Sequence, residues 1–203
     1  MLTTKAMGLL FRVMCLGVLM AVSAGTQPPG VSFQDADVVL QASRSERAAL
    51  IRKASRSPYS HVGVVEVAKD GVFVIEAVQP VSRTPIDAWI KRGEGGKMLV
   101  LRPRGLDEAA RRRVVTAAKK ELGKPYDAKY RWDDASLYCS ELVVKAFARG
   151  ADLSVGTQEQ VKSLALTPPE LAWAAQQGVL ADQYLVTPGS LATDEAFEVM
   201  AAP

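Results

Sequence analysis

The sequence has two cysteines and one histidine in 203 residues. A dense disulfide scaffold is thereby excluded, and a four-ligand zinc site has almost nothing to draw on. Aromatic residues make up only 6%. The uncharged run Val13–Val22 holds 10 residues, half of the ~20 that a spanning helix needs. No strong surplus of one charge exists, with 25 basic and 22 acidic residues. The densest basic cluster, Arg111-Arg112-Arg113, reads as a solvated helix face, so there is no case for nucleic acid, which needs a concentrated basic surface. Repeats and low-complexity tracts are absent too. With 48% hydrophobic and 23% charged residues, the chain has ordinary globular composition, and its length fits one domain.

The N-terminus carries Lys5 and Arg12, then the short apolar run, then Ser23, Ala24 and Gly25. This is the pattern of a secretory signal cleaved after Ala24, so an exported protein, periplasmic or secreted, is expected. Membrane contact is expected only if that segment is retained. Cys15 lies inside the apolar run behind Arg12-Val13-Met14, which is not the small-residue context of a lipidated cysteine. Residues 1–24 carry two basic and no acidic residues, so the remainder has a surplus of one positive charge. Cleavage leaves a single cysteine, Cys139, beside the single histidine, His61. A lone thiol in an oxidising compartment is either buried and inert or kept for its reactivity.

Hydrophobic periodicity predicts strands at Asp37–Leu40, His61–Val67, Val72–Val78 and Lys97–Arg102, and a last one at Gln183–Thr187. Asp70-Gly71 between two β-branched runs signals a hairpin. Helices are expected within Arg44–Arg56, after Thr84-Pro85-Ile86-Asp87, over Asp107–Leu122 with Gly123 closing it, over Cys139–Ala148, and from Thr167-Pro168-Pro169-Glu170 to Gln177. The stretch after Pro188 is weakly patterned. The fold class implied is α+β, a small antiparallel sheet packed with helices.

Three residues carry the chemical interest. Cys139 opens an apolar helix, where unpaired backbone N–H groups and the helix dipole favour a thiolate. His61 starts a strand, which fixes its side-chain direction, and Glu76 is an acid inside an apolar run. Each alone also has a structural reading: a satisfied histidine, a cysteine acting as a small hydrophobe, or a glutamate paired with Arg83 or Lys97. A hairpin centred on Asp70-Gly71 sets His61 and Glu76 about four residues out of register, or ~13 Å along the strands. Ideal pairing therefore does not bring the carboxylate to the imidazole.

Several segments nevertheless resemble the permuted papain-like cysteine hydrolases of the YiiX/YaeF type, within the NlpC superfamily. They are Asp37–Ser45, Pro58-Tyr59-Ser60-His61-Val62-Gly63, Val74–Val78, Leu122–Asp127 and Tyr138-Cys139-Ser140-Glu141-Leu142. They follow the family's order, histidine before cysteine, over about residues 35–190. One departure is Ala36-Asp37, where the family often has Gly-Asp. The resemblance implies a circularly permuted papain-like domain over residues 35–190. Before it come the signal peptide (1–24) and a leader (25–34), and after it a C-terminal tail (191–203). It also implies Cys139 as nucleophile, His61 as base and Glu76 as the residue orienting the imidazole, with no metal and no organic cofactor. Tyr126 or Tyr59 is a candidate side-chain donor to the oxyanion.

The implied reaction is acyl transfer through a thioester, on a small-molecule or peptide substrate with an amide or ester bond. Cell-wall peptides are the natural expectation for an exported amidase. A lipid acyltransferase or thioesterase could use the same three residues, and a binding module could keep the fold without turnover. Groove polarity separates the first two: an open polar cleft favours peptide, an apolar tunnel favours lipid.

Overall fold

The computed structural model describes residues 31–202. The expected signal peptide, and the leader as far as residue 30, lie outside the described residues. In chain order the elements are β1 (Val38–Gln41), α1 (Ala48–Ala54), β2 (His61–Ala68), β3 (Gly71–Glu76), β4 (Ser82–Pro85), α2 (Ile86–Arg92) and β5 (Leu99–Pro103). They continue with α3 (Glu108–Lys119), α4 (Cys139–Ala151), β6 (Gln158–Gln160), α5 (Pro168–Gln176), β7 (Tyr184–Val186), α6 (Pro188–Ala192) and β8 (Phe197–Ala201). Six strands form one antiparallel sheet in the order β4-β3-β2-β1-β5-β8, and β6 pairs with β7 apart from it. This is the α+β arrangement that the alternation of strand and helix signals implies.

The sheet is covered on both faces. Val38, Leu40, Val62, Val64 and Ile75 point toward α3 and α4, joining Val114, Leu142 and Phe147 in the main core. Their neighbours Val39, Val65 and Val74 point the other way, onto Trp89 and Ile90 of α2. Strand side chains alternate between faces, which is why β1 reads as an unbroken apolar run. Asp37, fully buried at its start, is held by Arg102 of β5 at 2.7 and 2.8 Å. Ala36 just before it has φ 63°, the left-handed region in which glycine is at ease and alanine is strained. The family's usual glycine at this position therefore has a backbone reason.

Several expectations change in detail. The helix predicted to start with Thr84 as its cap begins at Ile86, because Thr84 and Pro85 belong to the edge strand β4. The stretch expected as a C-terminal tail, 191–203, closes α6 and then forms β8 alongside β5. Only Phe197 of that strand is buried, edge-on to Phe147 at 5.5 Å. Glu198, Val199 and Met200 are exposed and Ala201 is half-buried, so the segment lacks a clear period of two.

α3 and α4 cross in close contact at Gly150, where a Cβ would lie 2.4 Å from Val114 Cα and N. Backbone cannot yield there as a side-chain tip could. Gly150→Ala should lower stability by about 1–3 kcal/mol, the usual cost of overpacking, seen as a lower urea midpoint at unchanged slope.

Candidate active site

His61 and Glu76 meet because the β2–β3 hairpin is tighter than its Asp-Gly signal suggests. Val64 pairs with Ile75 and Ala68 with Gly71, leaving a two-residue turn at Lys69-Asp70. Continuing that register sets Glu76 opposite Gly63, two residues from His61 on the same face of β2. Such a diagonal is within reach of long side chains. Gly63 clears the way: a Cβ there would stand 2.4 Å from Val74 Cγ1, 2.9 Å from Ile75 O and 3.3 Å from Glu76 Cβ. His61 Nε2 thus lies 2.5 Å from Glu76 Oε2, which leaves Nδ1 free to face another group.

Glu76 is fully buried yet well supplied with donors. Thr84 Oγ1 donates to Oε1 at 2.6 Å, and Arg92 donates to Oε2 alongside His61. Burial would push this carboxyl up, but the histidine, arginine and threonine outweigh it and hold the pKa down at about 2. The glutamate is thus an anion at every ordinary pH. Arg92 and Thr84 escaped the sequence reading, which offered Arg83 or Lys97 as partners; Arg83 instead pairs with Glu66. Trp89 packs beside the imidazole with ring centroids 6.4 Å apart, screening the pair from water.

Cys139 is the first residue of α4, after Tyr138 in an extended conformation. Glu141, three residues past the cap, accepts from Tyr138 N at 3.3 Å and fixes the start of the helix. Cys139 is 4% exposed and His61 8%, so both are more enclosed than residues at an open cleft. α4 packs against β2, and each of the two residues stands at the first position of its element. Burial alone would raise the thiol, but the hydrogen bond and charge of His61 bring it below its ordinary value. Burial alone would lower the imidazole, but hydrogen bonds to Cys139 and Glu76 raise it to about 9. Both shifts favour one arrangement: proton on the ring, negative charge on sulfur.

The thiol lines a small apolar chamber of about 100 Å³. Its walls come from α1 (Leu50, Ile51, Ala54), the 3-10 turn around Val161, α5 (Trp173, Ala174) and β7 (Leu185, Val186). The ion pair of Lys53 with Glu170, 2.7 Å, ties α1 to α5 across it. Tyr126 and Tyr130 stand close enough for the sulfur's charge to raise their pKa values, on top of burial, so both keep their protons. Tyr126 is the nearer of the two expected candidates to the sulfur's charge, whereas Tyr59 lines a different surface groove. Tyr130 went unnoticed in the sequence because nothing in its spacing ties it to Cys139.

A six-stranded antiparallel sheet, with a cysteine at a helix start and a histidine on the sheet, defines a papain-like protein of permuted order. A family model, described as "Permuted papain-like amidase enzyme, YaeF/YiiX, C92 family", matches residues 32–201. The chain belongs to this family. It is 36% identical over 161 residues to the "Uncharacterized protein YiiX" of Escherichia coli K12, covering 79% of this chain and 78% of that one. Among solved structures it resembles the one titled crystal structure of metalloprotein yiiX from Escherichia coli O157:H7. There the TM-score is 0.79 and the identity 32%, covering 84% of this chain and 97% of the other.

The folded pKa of Glu76 lies below its ordinary value of 4.5, so its contribution to stability is complete above pH 4.5 and lost as pH falls toward 2. Glu76→Gln should flatten that acid loss in thermal unfolding. Glu76→Ala should cost about 1–3 kcal/mol at neutral pH, because buried donors lose their acceptor.

Proposed function

We propose that the chain is an exported cysteine hydrolase that cleaves an amide through an acyl-enzyme on Cys139. The observation that carries this reading is the position of His61, hydrogen-bonded through Nε2 to an anionic Glu76 and close enough to Cys139 to hold the thiol below its ordinary pKa. Glu76 holds the ring in one orientation and one tautomer, as a carboxylate beside a catalytic histidine does. The thiolate attacks the carbonyl carbon. Backbone N–H groups at the start of α4, with the Tyr126 hydroxyl as a candidate beside them, would stabilise the oxyanion, where one such donor is worth ~3 kcal/mol. The imidazolium then protonates the leaving amine, and water releases the acid.

The chamber beside the sulfur speaks for the apolar substrate among the alternatives. A cell-wall peptide would call for an open polar cleft, whereas these walls are aliphatic and aromatic. An acyl group with a sizeable apolar part, in an amide as the family description has it or in an ester, suits them better. The related Escherichia coli structure is titled a metalloprotein. In this chain, among the described residues, no group of three or more His, Cys, Asp or Glu side chains is arranged to hold a metal ion.

Alkylation of Cys139 by iodoacetamide at pH 6 should run at least tenfold faster than that of free cysteine, and His61→Ala should remove the advantage. Free-cysteine rates in the wild type would point to a binding module. Turnover should also fall as pH rises through about 9, where His61 loses the proton the leaving amine needs. Alkylation should not fall with it, since the thiolate persists.

A further inference from the structure

One charged side chain lines the apolar chamber. Arg47, at the start of α1, shares its wall with Cys139 and Tyr130. The helix's other cations are matched by acids, Arg52 with Glu94 at 2.9 Å and Lys53 with Glu170 at 2.7 Å. Arg47 has no carboxylate partner among the described residues. Its charge favours the ionised form of Tyr130 and Tyr126, the two tyrosines that also feel the sulfur. The exposed Arg47 thus borders the chamber that Cys139 and Tyr130 also line, whereas Val161, Leu164 and Trp173 build apolar wall.

We propose that Arg47 is a specificity residue that binds an anionic group on the amine side of the scissile bond. The inference rests on the hydrolase reading of the same site and deepens it. The substrate class that meets all three features is the N-acyl α-amino acid. Its aliphatic acyl chain fills the chamber, its amide carbonyl lies at Cys139, and its free carboxylate, two bonds beyond the amide nitrogen, meets the guanidinium. Arginine is suited to this task because its planar fork receives a carboxylate through two parallel hydrogen bonds. The step balances without a further reactant. Sulfur bonds to the carbonyl carbon, the carbon–nitrogen bond breaks, and the His61 proton leaves with the amino acid. Water then displaces sulfur, releasing the fatty acid and restoring the thiol.

The test compares N-dodecanoylalanine with N-dodecanoylalaninamide, whose carboxylate is replaced by a neutral carboxamide. The wild type should favour the acid at least tenfold in kcat/KM. Arg47→Gln should cut that preference at least tenfold, and Arg47→Lys should fall between. No preference in the wild type, or one unmoved by Arg47→Gln, overturns the proposal. Calorimetry on Cys139→Ala decides the same point without turnover: the acid should bind at least tenfold tighter than the amide, and Arg47→Gln should abolish the difference. Equal binding, or no binding of either, overturns the role of Arg47. A Cys139 thiol that alkylates no faster than free cysteine overturns the hydrolase reading instead, while the binding comparison still decides Arg47.

Discussion

The site depends on a buried negative charge that the fold can support. Glu76 sits in the sheet with no exposed surface, where an unpaired carboxylate would cost several kcal/mol or take up a proton. Arg92, Thr84 and His61 together keep it ionised. That fixed anion lets the imidazole hold its own proton against burial, and the protonated ring in turn lets a buried thiol give one up. Each group has the state its neighbour requires. Three elements must deliver their donors for this: α2 brings Arg92, β4 brings Thr84, and β2 brings His61.

The same enclosure shapes the chemistry available. In a low-dielectric pocket, hydrogen bonds to a developing oxyanion are stronger than in water, and apolar walls favour an apolar substrate moiety. The helices around the chamber do both jobs, since the apolar cluster of Tyr138, Val161, Leu164 and Leu185 both supports its walls and fixes the residue before Cys139. The Tyr138 hydroxyl accepts from Val186 N at 3.0 Å, so the start of α4 is anchored to β7. The chamber wall and the placement of Cys139 therefore share one packing unit, and a change in the wall is felt at the sulfur.

Much of the fold is legible in the sequence, and the failures are instructive. The helix expected over Asp107–Leu122 is present over 108–119, capped by Asp107 and ending before Gly123, because capping and an amphipathic period are local effects. β8 was not legible, since only Phe197 along it is buried and a single residue makes no pattern. Thr84 was misread as a helix cap; its hydroxyl has a better partner in Glu76, one that no local rule reveals. The largest consequence came from the hairpin. A shift of two residues from the Asp-Gly register turns a separation of some 13 Å into direct contact, and Gly63 rather than Gly71 is the glycine that makes the contact possible.

The sequence by itself determined which groups are available for chemistry: one histidine, one thiol outside the expected signal segment, and an acid in an apolar strand. It also determined their elements, because strand and helix periods and caps are written within a few residues. Which of these groups meet was decided only by the tertiary structure. So was the presence of an apolar chamber, rather than a polar groove, beside the sulfur. The reason is the same in both cases. Strand register and the packing of α1 against α5 join residues far apart in the chain, and burial, which sets both proton affinity and pocket polarity, belongs to that joined arrangement rather than to any one segment.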